Sequence, residues 1–419
     1  MNGLKSVCIA LLFVSLFSTA SNGRTWYIKP GGTGDAATIQ AAIDASAPGD
    51  TILVATGTYH ENLSITAPHN GICVLSEAGA DATTVIAKVA GTGADFSGVD
   101  TTTTLKGFTL TGGTGAPNPE NPGTFHGGGV RLYYCSPKII ANHIIDNHVE
   151  PGRGGGIQCF GSAAIIEGNV ISGNSASFHG GGIHVEHGSP RIVGNTISDN
   201  EAWAGVAGPS GGGISAYYSA IVISDNLFKG NKAVTNGGAV VVDNCSVQIK
   251  RNIFTANQCG ASGGGVFLFA CTGEVSNNTA VLNRSGSSGG FGFLGSGSPT
   301  VRNNIVVCNN TQIAGGIGCD ETTSPNFSCN DVWNNTPSNY GGCADQTGQH
   351  GNISADPRFC HLSPDDYSVA AGSPILGGEC GTMGAIDIAG CSSAGPPFCE
   401  PPIGTKTSSW GGIKSIYKK

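Results

Sequence analysis

The sequence has little charge and, after its start, no long apolar run. Charged residues are 11% of the 419 residues, whereas a typical soluble protein has roughly 25%. The net charge is −8, so we expect no nucleic acid as a partner, because surfaces that bind nucleic acid are basic. No apolar run of roughly 18 residues occurs, so no transmembrane helix is expected in the mature chain. The C-x-x-C pairs of a zinc ribbon are also missing.

The amino terminus has the pattern of a secretion signal. Lys5 precedes an apolar run over residues 7–17, and small residues follow it. This pattern predicts a cleaved signal peptide over residues 1–23, with an uncleaved anchor as the alternative. We therefore expect a secreted or cell-surface protein.

Glycine is abundant, with 68 residues, and it marks a repeat of about 26 residues. Eight glycine pairs are followed fifteen residues later by an asparagine and, five residues further on, by a second one. Short β-type runs lie between them, so each repeat predicts one coil of a β-solenoid. The sixteen asparagines are predicted to be structural and to pair along the axis of the solenoid. The eight glycine pairs begin at residues 127, 154, 180, 211, 237, 263, 289 and 315.

Three further segments carry a family resemblance. The segment 38–45 places Ile39 and Ile43 on one helical face, residues 105–112 look like an early coil, and residues 356–359 look like a closing segment. Together with the repeat, they resemble the right-handed parallel β-helix of the pectin-lyase-like superfamily, in its secreted bacterial type. The resemblance implies an all-β solenoid of about 11–12 coils with a short amino-terminal capping helix. We assign this domain to residues 24–391 and a proline-rich linker and tail to residues 392–419.

The cysteines suggest disulfides, which exported proteins can form. Cys245 and Cys271 share a column in adjacent coils, so either a disulfide or an unbonded buried stack is expected there. Four cysteines near the end are predicted to brace the carboxyl-terminal region: Cys360, Cys380, Cys391 and Cys399.

Insertions into the repeat indicate where a site could lie. All of them fall between the second asparagine and the glycine pair, within residues 113–126, near Glu150 and near Trp203. Such loops leave one corner of neighbouring coils, and we predict that they form walls beside the strand that follows the glycines.

The candidate site residues lie on that strand and just before the glycines. Offsets four and six from the first glycine are predicted to point outward, because side chains alternate along a strand. Cations, imidazoles, aromatic rings and an amide at one corner suit a sugar chain, whereas an ordinary solvated surface is the alternative. The candidate catalytic residues are His179, His184, Arg131, Arg153 and Glu186, and the candidate substrate-binding residues are His126, Tyr133, Gln158, Phe160, Trp203 and Tyr217.

The resemblance implies a polysaccharide lyase or a glycoside hydrolase. A metal-independent lyase would neutralise a uronate with Arg131 or Arg153 and remove a proton with His179 or His184. Hydrolysis is disfavoured because Glu186 has no evident acidic partner on the same face. No cofactor is predicted; calcium stays open as a cofactor of the superfamily, although no acidic cluster is evident.

We therefore predict a monomeric β-helix protein that binds an extracellular, uronic-acid-type polysaccharide or a cell-surface glycan, and that cleaves it in a lyase-like reaction if it is an enzyme. Whether it is an enzyme stays open. The alternative is a non-enzymatic surface adhesin or display rod, because residues 237–240 and 228–231 are similar to the repeats of bacterial adhesins.

Overall fold

A computed structural model describes residues 23–395, except residues 89, 204–207, 362–365 and 387–388. The predicted signal peptide, apart from Gly23, lies outside the described residues, as do residues 396–419 of the predicted linker and tail. In the part of the chain that is described, no helix is both long and apolar enough to cross a membrane.

The chain winds into a parallel β-solenoid of about 12 coils, which confirms the predicted all-β fold and its size. Three parallel sheets of 12, 11 and 11 strands extend along the rod, and we call them sheets 1, 2 and 3 in the order in which each coil passes through them. Each full repeat contributes one strand to each sheet, so residues one repeat apart become neighbours along the axis.

The strands of sheet 1 are Thr25–Ile28, Thr51–Val54, Cys73–Ser76, Thr104–Lys106, Lys138–Ile140, Ile165–Glu167, Arg191–Val193, Ala220–Ser224, Ser246–Lys250, Thr272–Ser276, Thr300–Arg302 and Asn326–Ser328. Those of sheet 2 are Gly57–His60, Thr83–Ile86, Thr109–Thr111, His143–Ile145, Val170–Ser172, Thr196–Ser198, Leu227–Lys229, Ile253–Thr255, Thr279–Val281, Ile305–Val307 and Asp331–Trp333. Those of sheet 3 are Leu63–Thr66, Ala94–Ser97, Val130–Tyr133, Ile157–Phe160, Ile183–Glu186, Ile214–Tyr217, Val240–Asp243, Val266–Phe269, Phe291–Leu294, Ile317–Cys319 and Tyr340–Gly341.

Short strands complete the described coils. A narrow parallel sheet between sheets 2 and 3 contains His148–Val149, Ser175–Ala176, Glu201–Ala202, Lys232–Ala233 and Gln258–Cys259. Ala116–Pro117, Phe125–His126 and Gly152–Arg153 form a three-stranded sheet, and Val369–Ala370 pairs with Ala389–Cys391. Two 3-10 turns lie at Pro30–Gly32 and Ala67–His69.

The solenoid core follows from the alternation of apolar residues along these strands. In Arg191–Val193 and Thr196–Ser198 the central isoleucines are fully buried, whereas the flanking residues are not. Successive coils stack these inward side chains into one continuous core. A single coil could not bury this face by itself, so the stacking supplies most of the hydrophobic stabilisation.

Two asparagine ladders run along the rod, as predicted. In each step the Nδ2 of one asparagine donates to the Oδ1 of the equivalent asparagine one coil further on, at 2.9–3.2 Å. The ladders end at Asn352 and Asn339, which the repeat spacing does not predict. Because the amides also bond backbone groups, these buried polar side chains are satisfied.

The predicted capping helix is Ile39–Ala45. Thr38 caps it, since its Oγ1 accepts from the Ala41 N–H at 3.0 Å. Ile39, Ala42 and Ile43 are fully buried and join the solenoid core. The helix therefore covers the apolar end of the first coils.

The described carboxyl-terminal residues fold back along the outside of the rod. Ile375 and Met383 pack against Val281, Ile305 and Val307 of sheet 2. Disulfides Cys329–Cys380 and Cys360–Cys391 hold this segment, and Cys319–Cys343 joins two turns of the last coils. The predicted bracing is confirmed for the cysteines at 360, 380 and 391, and Cys399 lies outside the described residues.

Cys245 and Cys271 are buried thiols without a disulfide. Of the two arrangements expected for this column, the structure has the unbonded stack.

Candidate functional site

The predicted corner forms because the coils stack in register. His126 pairs with Arg153, and Arg153 bridges to His179, so the residues that precede the glycine pairs form one column. In sheet 3, Arg131 pairs with Gln158, and Gln158 with His184. The column at offset six contains Tyr133, Phe160, Glu186 and Tyr217.

The offset-four side chains are more buried than their outward direction suggested. Gln158 is 1% exposed and His184 is 0% exposed. Val241 and Phe267 at the same offset are buried too, yet they lie outside the solenoid core. These side chains are buried because the chain before each glycine pair folds over this face of the sheet. His179, which precedes a glycine pair, is an example, since its ring lies 6.0 Å from that of His184.

A cleft of about 260 Å3 opens at this corner. Seven of the eleven candidate residues line it, together with residues 118–121 and 124 of the long insertion and Phe178 of the neighbouring coil. The seven are His126, Arg131, Tyr133, Arg153, Gln158, Phe160 and Glu186.

The long insertion forms one wall, as predicted. Its Pro117 carbonyl oxygen accepts from Nη1 of Arg131 at 3.1 Å. The hydroxyl of Tyr133 donates to Oε1 of Glu120 at 3.2 Å. Arg131 and Tyr133 both belong to the strand Val130–Tyr133, so these bonds fix the position of the wall over that strand.

The other four candidates do not line the cleft. His184 lies beneath it, with Nδ1 2.6 Å from the hydroxyl of Ser215 and Nε2 3.6 Å from Oε2 of Glu186. His179 and Tyr217 pack on His184. The ring of Tyr217 lies 5.4 Å from that of His179 and 5.5 Å from that of His184. Trp203 stacks on His148 at 6.2 Å, on the side of the narrow sheet. His184 therefore lies close to Glu186 beneath the cleft and is not among the residues that line it.

The repeat columns do not include two acidic residues that bond side chains of the cleft. Asp95 accepts two hydrogen bonds from Arg131, at 2.6 and 2.8 Å, and Glu120 bonds Tyr133. The strand of Asp95 has no preceding glycine pair, so the repeat columns did not include it. Its register with Arg131 could have been found by aligning residues 94–97 with residues 130–133. Hydrolysis was disfavoured because Glu186 has no evident acidic partner on its face of sheet 3. Asp95 lies on that face, so this reason is weaker.

At neutral pH the carboxyl group of Glu186 is ionised and the buried imidazoles of this corner are neutral. Contact with His184 and the charge of Arg153, whose Nη1 lies 3.1 Å from Oε2 of Glu186, lower the pKa of Glu186 to about 2. Burial, with the nearby Arg153 charge, lowers the pKa of His126 to about 4. Burial likewise lowers the pKa of His179 to about 3 and of His184 to about 4. The cations at the cleft are therefore the two arginines.

The amide of Gln158 is the most unusual polar group of the cleft. It is almost fully buried, and neither its Nε2 nor its Oε1 has a hydrogen-bond partner within the described residues. A buried polar group without a partner costs about 1–3 kcal/mol. Such an amide, placed at a cleft, can be satisfied by a ligand that offers both a donor and an acceptor.

No metal site is evident in the described part of the chain, where no three side chains of histidine, cysteine, aspartate or glutamate converge. The residues Asp199, Asp225 and Asp243 lie on different faces of the coils; Asp225, for example, pairs with Arg251.

A family model agrees with the fold. The family model "Right handed beta helix region" matches residues 51–221. No curated protein matches the sequence. Among solved structures, pectate lyase Pel9A is 15% identical, with 88% of this chain and 97% of that chain covered and a TM-score of 0.47. A pectin methylesterase in complex with a hexasaccharide is 12% identical (78% and 92% covered, TM-score 0.34). The alginate lyase AlyGC is 14% identical (89% and 59% covered, TM-score 0.28). Similarities of this size assign no activity to the chain.

Proposed function

We propose that the cleft binds a segment of an extracellular polysaccharide. The observation that carries this proposal is the buried Gln158 amide, whose two polar atoms lack partners beside an open cleft. A sugar hydroxyl both donates and accepts, so vicinal hydroxyls would satisfy the amide nitrogen and oxygen together.

The aromatic pair beside the amide supports a sugar as the ligand. The rings of Tyr133 and Phe160 lie parallel, 5.4 Å apart, and both line the cleft. They offer an apolar surface next to polar groups, which matches a sugar ring with its apolar face and polar edge.

Arg153 supports a sugar that carries a carboxylate. Within the described residues its side chain makes one hydrogen bond, to Glu186, and about a third of it is exposed. Its remaining N–H groups can pair with a uronate. Arg131 is committed to Asp95 and to the Pro117 carbonyl, so it is less suited to this role.

If the protein cleaves its ligand, elimination fits the cleft best. His126 is the imidazole that lines the cleft, and burial keeps it neutral and able to accept a proton. Arg153 would neutralise the uronate, and His126 would take the proton from the adjacent carbon. The glycosidic C–O bond would then break, its oxygen would take up a proton, and an unsaturated sugar would form. His179 and His184, the bases expected from the sequence, are less suited because they lie behind the cleft.

Secretion forms part of the same proposal. Three disulfides among the described cysteines are compatible with an oxidising environment, where an extracellular polysaccharide is also met.

Binding is tested by calorimetry with polygalacturonate, alginate and a neutral glucan. We expect the wild type to prefer an acidic chain and Arg153→Ala to lose at least tenfold in affinity for it, since a charged hydrogen bond is removed. Arg302→Ala is the matched control, because Arg302 also pairs with a glutamate but lies on sheet 1. Equal affinity of wild type and Arg153→Ala for every chain would refute the cleft as the site.

Cleavage is tested by the ultraviolet absorbance of unsaturated products, with and without calcium. A signal in the wild type that His126→Ala abolishes, while Gln158→Ala mainly weakens substrate binding, would establish elimination at the cleft. Binding without any product would instead identify a carbohydrate-binding rod, the non-enzymatic alternative.

A further inference from the structure

A continuous row of aromatic rings leaves the cleft along the axis of the rod. We call it the aromatic ridge and define it as Tyr133, Tyr134, Phe160, His187 and Tyr218. Building on the proposed function, we propose that the aromatic ridge is a second saccharide-binding surface, which holds the units of the bound chain that extend beyond the cleft.

The rings contact one another from coil to coil. The ring of Tyr134 lies edge-on to those of Tyr133 and Phe160, at 4.7 and 5.3 Å. Phe160 lies 5.8 Å from His187, whose ring stacks on that of Tyr218 at 5.6 Å. The aromatic ridge therefore spans four successive coils without a gap.

The outer members of the aromatic ridge are unusually exposed. Tyr134 is 57% exposed and Tyr218 is 61% exposed. Large hydrophobic side chains with this exposure are few in the described part of the chain, and the others are Tyr27, Phe269 and Ile313. Two of them lie on one ridge beside the cleft, and a contiguous exposed aromatic surface is typical of a binding site.

The backbone of the aromatic ridge adopts a conformation that disfavours large side chains. Tyr134, His187 and Tyr218 all have left-handed φ values, of 47°, 53° and 47°. Glycine or asparagine is the usual choice at such a position, and Gly161 and Asn244 occupy it in other coils. Since these tyrosines gain no core burial in return, their outward rings point to a role in recognition.

Gly161 provides the space that the aromatic ridge needs. A β-carbon at this position would overlap the ring of Tyr134, so the missing side chain lets that ring lie across the coil. This contact places Tyr134 next to Phe160, which also lines the cleft.

The continuity and the spacing of the aromatic ridge favour a saccharide over other occupants. Tyr133 and Phe160 belong both to the cleft and to the ridge, so one chain can contact both. Adjacent coils lie about 4.8 Å apart, which is close to the length of one sugar unit in an extended chain. The tyrosine hydroxyls and the imidazole give the rings polar edges, which suits a hydroxyl-rich ligand better than an apolar protein surface.

A length series of oligosaccharides tests the aromatic ridge. Oligogalacturonates from the disaccharide to the octasaccharide are titrated into the wild type and into the double variant Tyr134→Asn, Tyr218→Asn. Asparagine tolerates the left-handed backbone, so the double variant should keep the wild-type melting temperature. We expect equal affinity for the shortest oligomers and about tenfold weaker binding of the longest by the variant, because two stacking rings are lost.

Two further variants separate this proposal from the proposed function. Arg153→Ala should weaken binding of short and long oligomers alike, and Tyr27→Ala, an exposed tyrosine near the capping helix, should change neither. If Arg153→Ala loses affinity but the double variant does not, the cleft stands and the aromatic ridge is refuted. If neither variant changes the binding, both proposals fail. If the double variant instead breaks a dimer seen by ultracentrifugation, the ridge is a contact between copies and the proposal is wrong.

Discussion

At the scale of single residues, the protein uses buried polar side chains in two ways. The ladder asparagines are buried with their hydrogen bonds satisfied, each by the next coil and by backbone carbonyls; Asn252, for example, bonds Asn278 and two carbonyl oxygens. Gln158 is equally buried, but neither amide atom has a partner among the described residues. The first arrangement stabilises the rod, whereas the second leaves binding capacity at the cleft.

The buried histidines make the stability of the fold depend on pH. Burial lowers the pKa of His184 from 6.5 to about 4, so between these values the unfolded chain binds a proton that the folded chain does not. Stability should therefore fall as the pH drops from about 6.5 to 4, by about 3 kcal/mol for this side chain. The pKa of Glu186, lowered to about 2, acts in the same direction below its ordinary value of 4.5.

Denaturant unfolding of the wild type and of His184→Gln at pH 7 and pH 4.5 measures this effect. The variant should lose less stability between the two values than the wild type. His187→Gln is the control, because this histidine is exposed. Equal loss in wild type and His184→Gln would mean that His184 is protonated in the folded protein as readily as in the unfolded chain.

At the scale of the elements, the turn at each glycine pair determines which side chains of the following strand in sheet 3 are buried at the corner. It brings the preceding residue over the strand, so that His126, Arg153 and His179 lie above the offset-four column. This turn explains why side chains that point away from the core are nevertheless buried. It also explains why the cleft lies at the first three of these coils, beginning where the long insertion stands beside the turn.

The turn requires glycine both for its left-handed φ value and because a β-carbon would overlap neighbouring backbone atoms. Gly180 and Gly194 have nearly equal φ values of 64° and 65°. A β-carbon at Gly180 would overlap the carbonyl oxygen of Ile183, whereas one at Gly194 would meet nothing within 4 Å. We expect Gly194→Ala to cost about 1 kcal/mol for its backbone alone and Gly180→Ala to cost about 2 kcal/mol more, because atoms must move apart.

The comparison is made by guanidinium unfolding of both variants. Since the two glycines share the same backbone conformation, the difference between the variants isolates the steric effect. Equal costs would show that the turn relaxes freely and that the close packing beneath it is unimportant.

At the scale of the whole molecule, stability is distributed along a rod whose coils contact mainly their neighbours. The carboxyl-terminal segment is the exception, because it packs lengthwise across several strands of sheet 2. Cys329–Cys380 closes a loop with a sequence separation of 51 residues, and such a crosslink contributes about 4 kcal/mol.

Removing this crosslink should release the segment while the rod stays folded. In Cys329→Ser, Cys380→Ser we expect faster proteolysis between residues 344 and 391, with the coils before residue 300 protected. The control is Cys319→Ser, Cys343→Ser, which leaves both disulfides of the segment intact. Simultaneous cleavage throughout the chain of the first variant would show that segment and rod unfold as one unit.

The sequence by itself determined the repeat, the solenoid, the asparagine ladders, the capping helix and the corner beside which the long insertion lies. These features follow from periodicity, because residues one repeat apart must become neighbours once the coils stack. Only the tertiary structure decided which side chains of that corner reach the cleft. His184 and Tyr217 share columns with residues that line it, yet the chain folding over them places them behind it. Asp95 bonds Arg131 because its strand, Ala94–Ser97, lies next to the strand of Arg131, although no glycine pair precedes it. Burial and ion pairing at the corner depend on how neighbouring coils and loops cover one another, and a repeat pattern does not contain this information.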